Sequence, residues 1–214
     1  MALAQVQDIL TGFPGLATLE PSWGSQISTQ GDGNTIVKQI RDPLWLLHAE
    51  TKMLEPGELR QWRGILNSLA NGGNLFYGRD MISMYPYSYP KGIGFASPLG
   101  SPVINAIGSQ AITISGLTAG FRGTVGDFFQ VNWGSSPFSI ALLQAAESFV
   151  CNGSGLSPSF AVNGAIPAGM TTGNAVTIIN PSCHMRLLPG SLKFPSDKTA
   201  WGIITFDAIQ VPEL

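Results

Sequence analysis

From about Ala96 onward the chain is a succession of short apolar runs separated by turn formers: "QAITISG", "GDFFQVNW", "PFSIALLQ", "PSFAVNG", "NAVTIIN" and "HMRLLPG". The runs recur roughly every 10–15 residues with no helical periodicity, the pattern of an antiparallel sandwich or barrel. Asn152-Gly153 and Asn163-Gly164 add hairpin-type turns. "IALLQAAESF" reads equally as a bent strand or a helical continuation, because an unbroken apolar run carries no period. The last stretch, "SLKFPSDKTAWGIITFDAIQV", returns to a long alternating strand pattern.

Composition agrees with many short strands. Only 11% of residues are charged, against about 25% in an ordinary globular chain. Gly (26) and Pro (15) are abundant, and 44% of residues are hydrophobic. Such sparse charge leaves little polar surface to keep the chain from its neighbours, so much of its outside is expected to be covered in an assembly. The net charge of -2, with no basic run, argues against nucleic-acid binding as the main role. The opening "MALAQVQDIL" lacks a basic leader and a long apolar core, and no apolar run approaches the ~20 residues of a membrane span.

The first part of the chain is more varied. The stretch through about Gln30 reads as mixed and turn-rich, and Asp32-Gly33 as a turn. "TIVKQI" from Thr35 and "LWLLHAET" from Leu44 read as two strands separated by a break at Asp42-Pro43. "EPGELRQWRGILNSLANGG" is the clear helix. Pro56 suits a first helical position, and Glu55 and Glu58 stand near the positive end of the dipole. Leu59, Trp62, Leu66 and Leu69 form an apolar stripe that Ile65 widens, and Asn71-Gly72-Gly73 closes the helix. "NLFYGRD", which contains Phe76, reads as a strand. In the following "YPYSYPKG", Tyr85, Tyr87 and Tyr89 form either a stacking platform or a loop pinned by prolines.

Residues that could carry catalysis are scarce. His48 and His184 are the only histidines, and with Cys151 and Cys183 they do not make a metal-ligand spacing. The two cysteines read as buried free thiols. Ser154 in "CNGSGL" does not match a nucleophile elbow. Asp127 and Glu147 are the only carboxylates between Ala96 and Leu187, and Asp127 follows Gly126 in a turn. "GFRGTVGD" lacks the lysine and helix of a phosphate loop. The expectation is a protein that is not an enzyme and holds no cofactor or metal.

The order of these segments resembles the distal tail proteins of long-tailed bacteriophages and related gene-transfer particles. The resemblance runs from about Ile36 through "IRDPLWLLHAET", "ELRQWRGILNSL", "NLFYGRD", "YPKG", "GDFFQVN" and "WGIITFDAIQV". It implies a mainly β (α+β) fold: an antiparallel β hub domain flanked by one α-helix, with an inserted small OB-like β-barrel. The hub would comprise residues 1–96 and 188–214, and the insertion residues 97–187. Trp45, Leu59, Trp62, Leu66, Leu69, Phe76, Trp201 and Phe206 would belong to the hub core, with Ile203 on the same returning strand. Phe128, Phe129 and Val131 would belong to the insertion core. Because Phe128 and Phe129 are adjacent, a regular strand sends one into the barrel and the other toward the hub or a neighbour.

The function implied is structural. Hubs would close into a hexameric ring that joins the tail tube to the tip hub protein and lets DNA pass, within the virion tail after assembly in the host cytoplasm. The tail tube protein and the tail-tip hub protein would be its partners, with the tape-measure protein and side fibres beyond them. The alternative from another class is a β-sandwich carbohydrate-binding module or glycan-acting protein, for which Tyr85, Tyr87, Tyr89 and Trp133 would supply the aromatic surface.

Overall fold

The computed structural model describes residues 6–29, 31, 34–70, 74–92, 101–135, 138–195 and 200–212. The described chain is mainly β, with one α-helix. Its elements are β1 (Val6–Gln7), β2 (Gly15–Thr29), β3 (Thr35–Thr51), α1 (Pro56–Leu69), β4 (Leu75–Gly78), β5 (Val103–Ile107), β6 (Ala111–Ser115) and β7 (Arg122–Gly123). They continue as β8 (Phe128–Trp133), β9 (Ser139–Ala145), β10 (Phe149–Val150), β11 (Phe160–Asn163), β12 (Val176–Thr177), β13 (Cys183–Leu187) and β14 (Thr205–Gln210).

Two six-stranded sheets result. The first has the order β1-β4-β13-β14-β3-β2, and the second β12-β8-β9-β11-β6-β5, with β7 and β10 forming a separate two-stranded ribbon. The second sheet curls until its ends meet. Val103 bridges Ala175, Ile104 N–H donates to the Asn174 carbonyl at 2.9 Å, and Val176 N–H donates to the Pro102 carbonyl at 2.8 Å. The result is a nearly closed, barrel-like sheet, and closure satisfies edge groups that would otherwise stay unpaired. Its strands lie in the chain between β4 and β13 of the first sheet.

The first core forms where α1 lies on the first sheet. Period-two alternation sends Ile204, Phe206 and Ala208 inward, where they join Trp45, Leu47, Ala49, Phe76 and Met185. Leu66 and Leu69 from α1 are buried in it, and Leu59 and Trp62 pack against it. Phe13 joins the layers, edge-on to Trp62 at 5.3 Å and to Phe206 at 5.9 Å. Pro56 does open the helix, without a side-chain cap at Glu55. Ile65 does not widen the buried stripe and stays 39% exposed. The expected helix stop at Asn71-Gly72-Gly73 lies outside the described residues, as does the turn at Asp32-Gly33.

Several expectations need correction. The "turn-rich" start is largely one 15-residue strand, β2, paired along most of its length with the 17-residue β3. Asp42-Pro43 does not break β3. The register shifts opposite it, between Ser22 and Gly24, so Pro43 falls where no ladder hydrogen bond is required. Of the two readings of "IALLQAAESF", the bent strand is the one observed: it runs in β9 and then β10, with a bend at 146–147 between them. Cys183–Leu187, placed by residue number in the insertion, instead pairs with β4 and β14 in the first sheet. Its alternating Cys183, Met185 and Leu187 fill the first core, which is why the chain returns there.

Candidate functional site

The junction of the two sheets is built by β8 and β9, each of which uses both faces. Phe129 and Val131 enter the barrel core with Ala141, Leu143 and Ala145. Phe128, Ile140 and Leu142 point the other way and join the first core. Phe128 was placed in the insertion core; adjacent strand residues face opposite sides, and the side it takes is the first core. There its ring meets the Trp45 indole edge-on at 5.2 Å, and Trp45 Nε1–H donates to the Leu142 carbonyl at 2.7 Å.

The other expected core residues divide by the same alternation. Trp45, Leu66, Leu69, Phe76 and Phe206 are almost wholly buried, and Leu59 and Trp62 are partly buried. Trp201 is 38% exposed and Ile203 only half-buried. Both have odd numbers on a segment where the even-numbered Gly202, Ile204 and Phe206 are the buried ones.

The residues that could carry chemistry have structural surroundings. Asp127 is 5% exposed and accepts from Thr124 N–H at 2.7 Å and Tyr87 N–H at 2.8 Å, stapling the tyrosine loop to the barrel. Burial pushes its carboxyl above the usual range, against the pull of those two bonds. Asn152 Oδ1 accepts from Ser154 N–H, Ser154 Oγ–H and Leu156 N–H, so Ser154 belongs to a side-chain-braced turn. Cys183 and His184 are adjacent on β13 and face opposite sides. Both cysteines are free and buried; burial pushes Cys151 up to about 11 and Cys183 higher still. His48 Nδ1 pairs with Asp207 at 2.7 Å across β3 and β14. Among the described residues no group of three or more His, Cys, Asp and Glu side chains stands together, and no helix is long and apolar enough to cross a membrane.

The aromatic set does not form one platform. Tyr89 stacks on Phe121 at 5.1 Å, and its hydroxyl accepts from Arg122 N–H. Trp133 packs on the barrel core against Gly169, where a Cβ would come within 2.4 Å of the indole. Tyr85 and Tyr87 share a separate surface hollow with Ile82 and Pro90.

Two features stand apart from these packed regions. One is the outer half of the β2–β3 hairpin, where Ile27 pairs with Val37 and Ser28 with Ile36. Ile27 (67% exposed), Val37 (63%), Ile40 (65%) and Ile36 (49%) are all open to solvent. Ile27 and Val37 occupy one face of the ribbon and Ile36 the other. The pairing of β3 with β14 covers only Leu46–Glu50, so beyond it the ribbon has two strands alone. Sequence reading missed this arm, although adjacent apolar Ile36 and Val37 break the alternation of a one-sided strand. The other feature is a polar cleft of about 490 Å³ between the sheets, lined from the first by Tyr77, Arg79 and His184 and from the barrel by Gln130 and Asn132.

Compared with known proteins, the sequence matches no family model and no curated protein.

Proposed function

We propose that the chain is a structural, non-catalytic subunit of a phage tail tip, whose copies close into a ring joining the tail tube to the tip hub and leaving a passage for DNA. In this reading the first sheet with α1 is the hub and the barrel-like sheet is its OB-like insertion. The observation that carries the proposal is the β2–β3 arm. A two-stranded ribbon is marginal alone in water, and this one exposes apolar residues on both faces. Packing and edge pairing with arms of adjacent copies would cover both faces and both edges. The motif order and the scarcity of charge support the same reading. The low positive charge also suits a lumen through which DNA passes without adhering.

The test is native mass spectrometry with negative-stain imaging of the full chain, alone and with tail tube protein, beside an Ile27→Asp/Val37→Asp variant. Rings are expected from the parent and single subunits of unchanged melting temperature from the variant. A parent that stays monomeric at about 100 μM, with or without tail tube protein, would remove the proposal.

A further inference from the structure

The cleft between the sheets holds hydrogen-bonding capacity that the fold leaves unused. His184 is 1% exposed and its ring lies tilted against Tyr77, centroids 5.4 Å apart, yet its Nδ1 has no partner among the described residues. Arg79, with its side chain 13% exposed, pairs through Nη2 with Asp8, and its buried Nε is likewise unpartnered. Buried polar atoms are nearly always hydrogen-bonded, and leaving one unpaired is costly. His184 and Arg79 both line this cleft, so a ligand seated there meets two side chains whose hydrogen bonds the fold leaves incomplete.

The opposite wall is prearranged. Gln130 Oε1 accepts from Ser182 N–H at 2.9 Å and Ser182 Oγ–H at 3.1 Å, and Gln130 Nε2 donates to Asn132 Oδ1 at 2.9 Å. These bonds fix both amides and leave the Asn132 NH2 as a donor at the cleft. At the rim stands the ring of Phe138, 52% exposed.

We propose that this cleft binds a neutral sugar, a monosaccharide or a terminal unit of a glycan. A sugar hydroxyl both donates and accepts, and the cleft offers both: the Asp8 carboxylate as acceptor, Asn132 and Arg79 as donors. Tyr77 and Phe138 supply apolar surface for the C–H face of a pyranose ring. Other ligand classes fit less well. The Arg79–Asp8 pair leaves the walls with no net charge, and burial holds His184 toward its neutral form, so nothing compensates a charged ligand. A metal ion would find only Asp8 and His184 beside a guanidinium, fewer ligands than a site needs. An apolar ligand would leave both nitrogens unpaired. The volume lies within the roughly 300–1,000 Å³ of ordinary ligand pockets. The site is complete within one chain, so a failed ring assay would leave this inference standing.

Saturation-transfer NMR on the full chain tests it, with glucose, galactose, N-acetylglucosamine and rhamnose each at about 10 mM, and glucuronate and glucosamine as charged comparators. Asn132→Ala and Phe138→Ala remove a donor and the rim ring; Tyr87→Ala alters the separate hollow. At least one neutral sugar is expected to receive saturation. Its apparent Kd should weaken roughly tenfold in Asn132→Ala and stay unchanged in Tyr87→Ala. Phe138→Ala, at an exposed position, carries the test if Asn132→Ala fails to fold. Absence of signal from all four neutral sugars would overturn the inference. So would tighter binding of a charged comparator, or signal unaffected by both cleft variants.

Discussion

The indole N–H of Trp45 donates 2.7 Å to the main-chain carbonyl of Leu142, so a residue of the first sheet supplies a hydrogen bond to a strand of the barrel. Trp45 is 1% exposed, and its own main-chain N–H donates to Gln210 Oε1 at 3.2 Å. Its ring, edge-on to Phe128, closes the junction from the other side. The two sheets are thereby one packed body at this point.

Trp45→Phe keeps an aromatic ring but leaves the Leu142 carbonyl buried without this donor. The expected cost is about 1–3 kcal/mol from the unsatisfied acceptor, plus the volume lost. Urea denaturation followed by fluorescence and by far-ultraviolet circular dichroism checks it. A loss below about 0.5 kcal/mol would mean that the contact contributes little.

Phe128 and Phe129 are neighbours with separate duties. Phe128→Ala and Phe129→Ala should each cost about 3–5 kcal/mol, because both rings are buried. Native-state hydrogen exchange should separate them. Phe129→Ala should speed exchange chiefly in β6, β9 and β11, and Phe128→Ala chiefly around Trp45 and β3. Identical exchange patterns would contradict the two-core arrangement.

His184 makes stability depend on pH. Burial lowers its pKa from the ordinary 6.5, so the unfolded chain takes up a proton before the folded one does. The unfolded state therefore binds more protons as pH falls below about 6.5. The contribution of neutral His184 is full above that pH and is lost as pH falls toward the folded pKa. Asp127 acts in the opposite sense, because its raised pKa gives stability at low pH that is lost as pH rises through the folded value. The test is the difference between parent and His184→Phe: the parent should lose more stability between pH 7 and pH 5. Parallel melting curves for the two proteins would refute the assignment.

Gly155 sits at φ +73°, and a Cβ there would stand 1.9 Å from the Leu117 carbonyl oxygen. Gly155→Ala combines an unfavourable left-handed conformation, about 1–2 kcal/mol, with a backbone clash that only movement of the loop relieves. A fall in melting temperature of several degrees is expected. Gly153→Ala, with nothing within 4 Å of its Cβ, serves as the nearby comparison and should shift it far less.

Local patterning made much of the fold legible. Alternating runs marked β8, β11 and β14, and the Leu59–Leu69 stripe marked α1 with the face that meets the sheet. The opening 30 residues were misread because Pro21 and Gly24 look like breaks until their partner strand is known. Only opposite β3 does the register shift between Ser22 and Gly24 give them a place. Trp201 was misplaced: the buried residues of its segment are the even-numbered Gly202, Ile204 and Phe206.

The candidate sites were less legible, because they depend on what two distant segments leave uncovered. Neither Arg79 nor Asn132 carries a motif; they share a cleft because the chain just past β4 and the strand β8 border the same gap between the sheets. Ile27 and Val37 read as ordinary strand residues, and only the short reach of β14 along β3 exposes them. From its residues alone, the chain specifies short strands, one amphipathic helix and the alternation that makes Phe128 and Phe129 diverge, since these follow from backbone geometry and side-chain period. Which face each strand buries, and which polar and apolar groups are left without partners, was decided by tertiary packing, because burial belongs to pairs of surfaces and a single segment contains only one of them.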